Sequence, residues 1–385
     1  MLVSSVGCQE ADPTAAQEES LRVVASREAI AYDFAYRDNL PHGVAGDESL
    51  VFVTEPLVGR VVALSRTSGR EIAELPTPPA GFLLPFALRV PEPGRLVVLD
   101  PGGFPDPTGG LPVASIIEYD YDYDRRSRTF TATHVRTIRL EGVPTVFTED
   151  IEVLADGRYV ISEAGIGALW MVSPDGIPSP AVFPASPSPA DTIPELGPCA
   201  FPTDVVVDGI PFRLAGDFAP GVGSLASDDT WLYFGSTCRG GLYRIPIASL
   251  ADGRPPFARA DDIELLSAPP AGASADILKG LSVDVYGDPD ALYAASPLEL
   301  AVVRIDLETG ERETVVQESH LLDFPVATTF LPPRHGVSPL VVVSEQEHRW
   351  TAINVAIEED LFRTPFTLAK VYPWRRDHGH GHGHH

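Results

Sequence analysis

Acidic side chains recur at one kind of position along this chain, at the end of a short β-prone stretch. The six stretches read LVFVTE, LVVLDP, YVISEA, LYFGST, LYAASP and LVVVSE, and their first residues are 46, 63, 73, 60 and 48 positions apart. The side chains that end them are Glu55, Asp100, Glu163, Ser236, Ser296 and Glu345. Carboxylates that converge within a few ångströms oppose joint ionisation. If these residues meet, they predict a bound cation or partial protonation.

The elements that must position these side chains follow one repeated pattern. A short apolar stretch, a polar turn and a strongly β-prone strand are followed by a loop, another strand and a turn such as TSG, SPDG or LETG. Such alternation is strand-like rather than helical. One unit of three or four strands cannot bury both faces, whereas six units stacked radially can. We therefore predict an all-β, six-bladed β-propeller with four-stranded blades; a pair of β-sandwich domains is the alternative.

The ring has to close, and the two ends of the chain can close it. Residues 21–36 and 366–374 are both β-prone, and either can supply the outer strand of the other's blade. We expect residues 102–112 and 177–222 to be insertions carried on the ring, the second with an extra hairpin in FPTDVVVDGIPFRL. The predicted organisation is a tether over 1–20, one propeller over 21–375 and a His-rich tail or tag over 376–385.

In a propeller, the loop that enters each inner strand and the loop after each second strand open on the same face. The entering positions hold His42, Phe86, Glu149 with Asp150, Gly223 with Ser224, Lys279 and Asp323. From both sets we select candidate residues for a site in the axial funnel, with a small molecule as ligand or substrate. The candidates are, for catalysis, Glu149, Asp150 and Lys279; for ligand binding, His42, Glu55, Asp100, Glu163, Ser236 and Glu345; for a metal, Glu149, Glu163 and His42. Calcium suits such a funnel because it prefers six to eight oxygen ligands, so we expect calcium or another divalent cation.

Three cysteines bear on the compartment. Ser5-Val6-Gly7-Cys8 resembles the lipoprotein cleavage box, which predicts lipidation at Cys8 and an extracytoplasmic location; the alternative is a chance cysteine in a disordered arm. Cys199 and Cys238 then predict one disulfide. We expect a periplasmic or outer-surface lipoprotein, or a secreted protein, that touches a membrane only through this lipid.

The charge of the chain excludes one class of partner. The formal net charge is -26, and a surface this acidic repels phosphate backbones, so we expect no nucleic acid partner. No G-x-S-x-G motif is present, and the histidines show no spacing that implies a catalytic triad. We expect a monomer.

The stretch GVGSLASDDTWLYFGSTCRGGLYRIPIASL resembles the blade motif of the senescence-marker-protein, gluconolactonase and strictosidine-synthase-like superfamily of six-bladed propellers. VVVDGIPFRLAG and GRLVVLDPG are most similar to its yellow and major royal jelly protein branch, and LKGLSVDVYGDPDALYAASP is similar to the next blade. The resemblance covers about residues 40–350. It implies the propeller fold more strongly than it implies an activity.

In the hydrolases of this superfamily, an acidic residue, an Asn and an Asp hold a divalent cation on the axis. Here Gly223 stands where the Asn is expected, Lys279 stands where the Asp is expected, and Glu149 stands where related enzymes have another Asn. The resemblance implies a cation-dependent lactone or ester hydrolase, in which a carboxylate activates water. The two replaced positions favour the alternative, a non-catalytic propeller of the royal jelly type that binds a small ligand or a partner protein.

Overall fold

A computed structural model describes residues 29–31, 40–104, 112–185, 193–273, 275–334, 336, 338–364 and 366–372. Cys8, the predicted tether and the His-rich tail lie outside these residues. Six four-stranded antiparallel sheets and two two-stranded sheets make up the described strands, which confirms the predicted all-β propeller. No helix among the described residues has the length and apolar character that crossing a membrane requires.

The chain enters the described fold at strand β1 (Ala29–Ala31), which belongs to the last blade. Blades 1 to 3 then follow in order along the chain. Blade 1 contains β2 (Val44–Gly46), β3 (Leu50–Glu55), β4 (Arg60–Ser65) and β5 (Glu71–Glu74). Blade 2 contains β6 (Ala87–Glu92), β7 (Arg95–Asp100), β8 (Ser115–Asp124) and β9 (Thr129–Arg139). Blade 3 contains β10 (Thr148–Val153), β11 (Tyr159–Glu163), β12 (Ala168–Val172) and β13 (Pro178–Val182).

An insertion separates blade 3 from blade 4. It holds β14 (Cys199–Ala200), β15 (Val206–Val207), β16 (Ile210–Pro211) and β17 (Phe218–Ala219). Blade 4 contains β18 (Val222–Ser227), β19 (Trp231–Ser236), β20 (Leu242–Pro246) and β21 (Glu264–Ser267). Blade 5 contains β22 (Lys279–Asp284), β23 (Asp288–Ser296), β24 (Ala301–Asp306) and β25 (Arg312–Gln317). Blade 6 contains β26 (Pro325–Phe330), β27 (Leu340–Ser344) and β28 (Thr367–Val371), with β1 as its outer strand.

Short 3-10 helices occupy some of the connections. They span Pro56–Val58, Ala215–Asp217, Ile247–Ala251, Pro256–Asp262 and Glu347–Arg349. The last of these follows β27 directly, on the face of the ring where the inner strands begin.

The ring closes as the sequence predicts. Strand β1 pairs with β28 through Ala29 opposite Ala369, so the N-terminal segment completes the blade built from the C-terminal end of the chain. Each inner strand contacts the inner strand of the next blade, and β26 contacts β2. This closure leaves no free edge at the centre of the ring.

The core is divided among the interfaces between neighbouring blades. All residues of β3, β11 and β27 are buried, because a second strand is covered by a neighbouring blade on each face. Outer strands such as β9 alternate between exposed and partly buried residues, as one-sided packing requires. The burial pattern thus matches the position of each strand in its blade, with apolar second strands inside and half-exposed strands at the outer edge.

The insertion between blades 3 and 4 forms a cap on the face where the inner strands begin. β14 pairs with β17, and β15 with β16; the second pair is the predicted hairpin, turning at Asp208-Gly209 with both residues at positive φ. Phe201 and Phe212 of the cap pack with Phe324 of blade 6 in one apolar cluster. A disulfide joins Cys199 to Cys238, as predicted, and ties the cap to the loop after β19.

Candidate functional site

A small cavity lies on the axis of the ring, at the beginnings of the inner strands. Its charged and polar lining consists of His42, Arg89, Glu149, Asp150, Ser224 and Lys279, together with Thr328. The cavity measures about 30 Å³, which is room for about two water molecules. We call this cavity and the side chains that bind its lining the hub.

Backbone irregularities bring the lining residues to the axis. The register of the first two strands shifts between Thr148 and Ile151 in blade 3, between Val222 and Leu225 in blade 4, and between Lys279 and Ser282 in blade 5. A bulge re-aims the side chains it contains. The bulges therefore account for the way Glu149, Asp150, Ser224 and Lys279 turn towards the centre.

His42 is held in one orientation by a carboxylate from another blade. Its Nδ1 lies 2.9 Å from Glu345 Oε2, and its ring stacks on Phe86 with 3.6 Å between centroids. A carboxylate partner on Nδ1 makes that nitrogen the donor, so Nε2 is the ring nitrogen that carries the lone pair when the imidazole is neutral. In the part of the chain that the structure describes, Nε2 makes no hydrogen bond.

Lys279 is a cation whose side chain is only 13% exposed. Its Nζ donates to Glu347 Oε1 at 3.0 Å and lies 3.9 Å from Glu149 Oε1. Burial alone lowers the pKa of a lysine, but Glu347, Glu149 and Glu345 outweigh burial and raise the pKa of Lys279 above its usual value. Lys279 is therefore an ammonium at neutral pH and can donate hydrogen bonds, whereas a Schiff-base or general-base role requires the neutral amine.

The carboxylates around Lys279 have pKa values that are shifted in opposite directions. Burial raises the pKa of Glu347 to about 7. The Lys279 ammonium lowers this pKa, but burial and the nearby negative charge of Glu345 together outweigh that effect. Burial raises the pKa of Glu149 against the opposing charge of Lys279. At Glu345, burial also opposes ionisation, but His42 and Lys279 prevail and the pKa falls below its ordinary value. Glu345 is thus the carboxylate that stays ionised beside His42.

Asp150 belongs to a second, self-contained group on the hub wall. Its Oδ2 accepts from the Leu225 N–H at 2.7 Å and from Arg89 at 3.0 Å. Arg89 also donates to Glu152 at 2.8 Å. Arg89 thus already neutralises Asp150 and Glu152. Through Arg89 and the Leu225 N–H, Asp150 of blade 3 connects blades 2 and 4.

A side chain at position 223 would require Glu149 to move. A Cβ built on Gly223 would lie 2.8 Å from Glu149 Oε1, closer than real side chains approach. Glu149 therefore fills the place next to Gly223, which is the position where the family resemblance implies an asparagine ligand.

The residues present do not fit a divalent cation at the hub. Calcium requires six to eight oxygen ligands, yet Gly223 offers no side chain and Glu149 and Glu347 already share the Lys279 ammonium. An ion held by the same two carboxylates would lie beside that ammonium, and like charges at this distance repel strongly. We derive no catalytic step through a metal here.

A second group of metal-binding residue types lies under the cap. Ligand atoms of Asp208, Asp323 and His348 lie within 4.8 Å of one another. Arg349 donates to both aspartates, and Arg363 lies 3.1 Å from Asp208. Burial lowers the pKa of His348 to about 3, so its ring is neutral. The two arginines already balance the two carboxylates, and the group ties the cap hairpin to blade 6.

Most of the predicted ligand-binding residues at the ends of second strands lie in their own blade's loop. Glu163 accepts three backbone N–H bonds, at 2.6, 2.6 and 2.5 Å, and Asp100 accepts three at 2.7 to 2.9 Å. Ser236 accepts the N–H of Arg239, and Glu55 pairs with Arg60 at 3.5 Å. None of these four residues lines the hub cavity. Glu345, the fifth, reaches the hub through His42.

The predicted catalytic and metal residues are only partly brought together. His42, Glu149, Asp150 and Lys279 share the cavity, whereas Glu163 has its oxygens committed to backbone donors. Sequence reasoning missed Glu347 and Arg89. Glu347 stands two residues after Glu345, with Gln346 between them in the left-handed region at φ 59°, and Arg89 is a charged residue inside an inner strand. The spacing of Glu347 after Glu345 and the charge at position 89 are signals that the sequence contained, whereas the Gln346 backbone angle is not.

Solved structures resemble this chain in fold. A gluconolactonase from Xanthomonas campestris is 13% identical, with a TM-score of 0.50 over 90% of this chain and 89% of that one. A luciferin-regenerating enzyme is 12% identical, with a TM-score of 0.52 over 89% and 94%. The calcium-binding protein regucalcin from Agrobacterium tumefaciens is 16% identical, with a TM-score of 0.47 over 87% and 92%.

Comparison of the sequence with known protein families finds no match, and comparison with curated proteins finds none either. At these identities the structural likeness supports the fold, a six-bladed propeller like those of the gluconolactonase-like proteins, and no more.

Proposed function

We propose that this chain is a gluconolactonase-like propeller that hydrolyses a small ester or lactone at its hub without a metal ion. The observation that carries the proposal is the His42–Glu345 pair, with Nδ1 and Oε2 2.9 Å apart, on the same cavity as the Lys279 ammonium. A histidine oriented by a carboxylate is a general base, and a fixed ammonium stabilises a developing oxyanion.

The proposed reaction uses these groups in a balanced sequence. His42 Nε2 takes a proton from water, and the water oxygen forms a bond to the carbonyl carbon. Lys279 donates a hydrogen bond to the carbonyl oxygen as negative charge develops there. The bond from carbon to the leaving oxygen then breaks, and His42 returns the proton to that oxygen. The products are a carboxylic acid and an alcohol, or one hydroxy acid from a lactone.

The test is hydrolysis of 4-nitrophenyl acetate and δ-valerolactone by the purified full chain. We expect turnover that EDTA does not change, and a loss of about 100-fold or more in kcat for His42→Gln, the range that a positioned general base contributes. His134→Gln is the matched control, because His134 lies on the outer strand β9 and bonds Thr137; it should retain full activity. Equal rates for His42→Gln and His134→Gln would refute the assignment.

A non-catalytic binding propeller, such as the royal jelly type, is the second candidate. The observation in its favour is that the hub charges largely compensate one another, through Lys279 with Glu347 and Arg89 with Asp150. Absence of turnover across the ester and lactone panel would select this candidate.

We also propose that the chain works outside the cytoplasm. The support is the disulfide between Cys199 and Cys238, because such bonds persist in oxidising compartments. Fractionation of cells that express the chain, with thiol alkylation before lysis, tests this: a reduced Cys199 and Cys238 pair in the cytosolic fraction would contradict it.

A further inference from the structure

Three aromatic rings form a chain of contacts that begins at His42. The Phe86 ring stacks on His42, the Phe147 ring meets Phe86 edge to face at 5.2 Å, and the Phe104 ring lies parallel to Phe147 at 6.0 Å with 4° between the planes. Phe86 and Phe147 directly precede the inner strands of blades 2 and 3, the positions that point to the axis. We call Phe86, Phe147 and Phe104 the aromatic arm.

Charged side chains from several blades line the hub itself. Lys279 comes from blade 5, and Glu345 and Glu347 come from the loop of blade 6. His42 contacts both groups, since it binds Glu345 with one ring atom and stacks on Phe86 with its face. A ligand at His42 therefore meets charged groups inside the cavity, and the aromatic arm begins behind the His42 ring.

The arm leads outward from the hub to solvent. Phe86 is 8% exposed, Phe147 is partly buried and Phe104 is 49% exposed. The buried carboxylate of Asp100 holds the backbone N–H groups of Leu83 and Gly102, which fixes the turn that carries Phe104. The exposed face of Phe104 is a surface on which another aromatic ring can stack.

Because the cavity is small, an organic ligand needs a further binding surface outside it. About 30 Å³ accommodates a reacting group and a water, but not the rest of an organic ligand. Most of any ligand that reaches His42 must lie outside the cavity. The aromatic arm is the apolar surface that continues from His42.

We propose that the aromatic arm binds an aryl substituent, so that the hub acts on aryl esters in preference to small aliphatic ones. This inference rests on the proposed function for the reaction and on the ring contacts for the substrate class. The aryl group lies against Phe147 and Phe104, and the carbonyl is placed between His42 and Lys279. Stacked aromatic pairs gain from their geometry as well as from buried area.

Binding of 1-naphthol, followed by its own fluorescence, tests the arm without any turnover. We expect Phe104→Ala to weaken binding by about 3- to 10-fold, the range for one aromatic contact; because Phe104 is exposed, this variant keeps its fold. Phe257→Ala is the matched control, since Phe257 is 53% exposed in the connection within blade 4, and it should bind like the wild type. No detectable binding, or equal binding by all three proteins, would overturn the proposal.

Kinetics separate the arm from the reaction. We expect Phe104→Ala to lower the ratio of kcat/KM for 1-naphthyl acetate to kcat/KM for methyl acetate by a similar 3- to 10-fold factor, and we expect Phe257→Ala to keep the wild-type ratio. If no ester is turned over but Phe104→Ala still weakens naphthol binding, the hydrolase proposal fails and the arm stands. If esters are hydrolysed with the same naphthyl-to-methyl ratio in the wild type and Phe104→Ala, the arm fails and the hydrolase stands.

Discussion

Removing the charge of Lys279 should destabilise the fold in a strongly pH-dependent way. Lys279→Met keeps most of the length of the side chain and deletes the ammonium that Glu149 and Glu347 share. Those carboxylates remain buried, so the variant has to bury them unpaired or keep them protonated. We expect a loss of about 3–5 kcal/mol in the free energy of unfolding at pH 8, as for other buried pairs that lose one partner.

The contact distances support this magnitude. With an effective dielectric constant of about 20, a 3.0 Å contact such as Lys279 with Glu347 gives an attraction of about 5–6 kcal/mol, and 3.9 Å gives about 4 kcal/mol. Desolvation of the buried groups offsets much of this attraction. The variant loses the attraction but keeps the desolvation of the carboxylates, so the net loss is several kcal/mol.

The direction of the pH effect follows from the pKa of Glu347. That pKa is about 7 with the ammonium present, against 4.5 for an ordinary glutamate, and deletion of the ammonium raises it further. The native variant therefore holds a proton that the unfolded chain releases above about pH 4.5. Stability then falls as pH rises from 4.5 through the raised pKa, by up to about 1.4 kcal/mol per pH unit for each such carboxylate.

Urea unfolding at pH 5 and pH 8 measures the effect in wild type, Lys279→Met, Glu347→Gln and the double variant. The loss in Lys279→Met should be larger at pH 8 than at pH 5, and Glu347→Gln in the same chain should restore part of it at pH 8. An equal loss at both pH values, with no recovery in the double variant, would mean that Lys279 contributes packing rather than charge.

Three further predictions follow from other contacts. Lys279→Asp should bind calcium, so that calcium raises its Tm but not that of the wild type. At a calcium concentration one hundred times Kd, the gain in the free energy of unfolding is about 2.7 kcal/mol. A rise in Tm in both proteins would contradict the conclusion that the wild-type hub does not fit a divalent cation. Burial raises the pKa of Glu55 to about 7 in spite of Arg60, so Glu55 costs stability as pH rises from 4.5 through 7. Glu55→Gln should therefore stabilise the fold at pH 8 by up to about 3 kcal/mol and have little effect at pH 4.5, and an unchanged urea midpoint at pH 8 would count against it. Replacement of Cys199 and Cys238 by serine should lower the free energy of unfolding in urea by about 4 kcal/mol, because the disulfide closes a loop of sequence separation 39. Reductant should then destabilise the wild type but not the serine variant.

The propeller was predictable because the sequence pattern that specifies each blade is local and is repeated six times along the chain. The middle of each second strand is mainly apolar, since both of its faces are covered, and the LVFV and LVVV stretches already carry that pattern. The Asp208-Gly209 turn specifies the cap hairpin by itself. Closure by β1 was predictable only as one of two possibilities, because either end of the chain has the strand pattern that the last blade requires.

The site was predictable to the level of the strand positions and no further. His42, Glu149 and Lys279 meet at the axis because entry to an inner strand is a geometric position that the repeat fixes. A carboxylate after a second strand has two possible uses. Glu163 takes the backbone N–H groups of its own loop, whereas Glu345 binds His42 across the ring. Loop shape decides between them, and the strand pattern does not encode that shape.

The departures from the resemblance make physical sense when Gly223, Glu149 and Lys279 are taken together. The absent side chain at position 223 leaves the space that Glu149 fills, and the buried charge of Glu149 then needs a positive partner, which Lys279 provides at 3.9 Å. An ammonium in this place can polarise a carbonyl as a cation does, but it brings no metal-bound water to attack it. Activation of water must then come from another group in reach of the cavity. In the reaction proposed above, His42 is the group among the described residues that takes this part, because Glu345 binds its Nδ1 and leaves Nε2 for the proton of water.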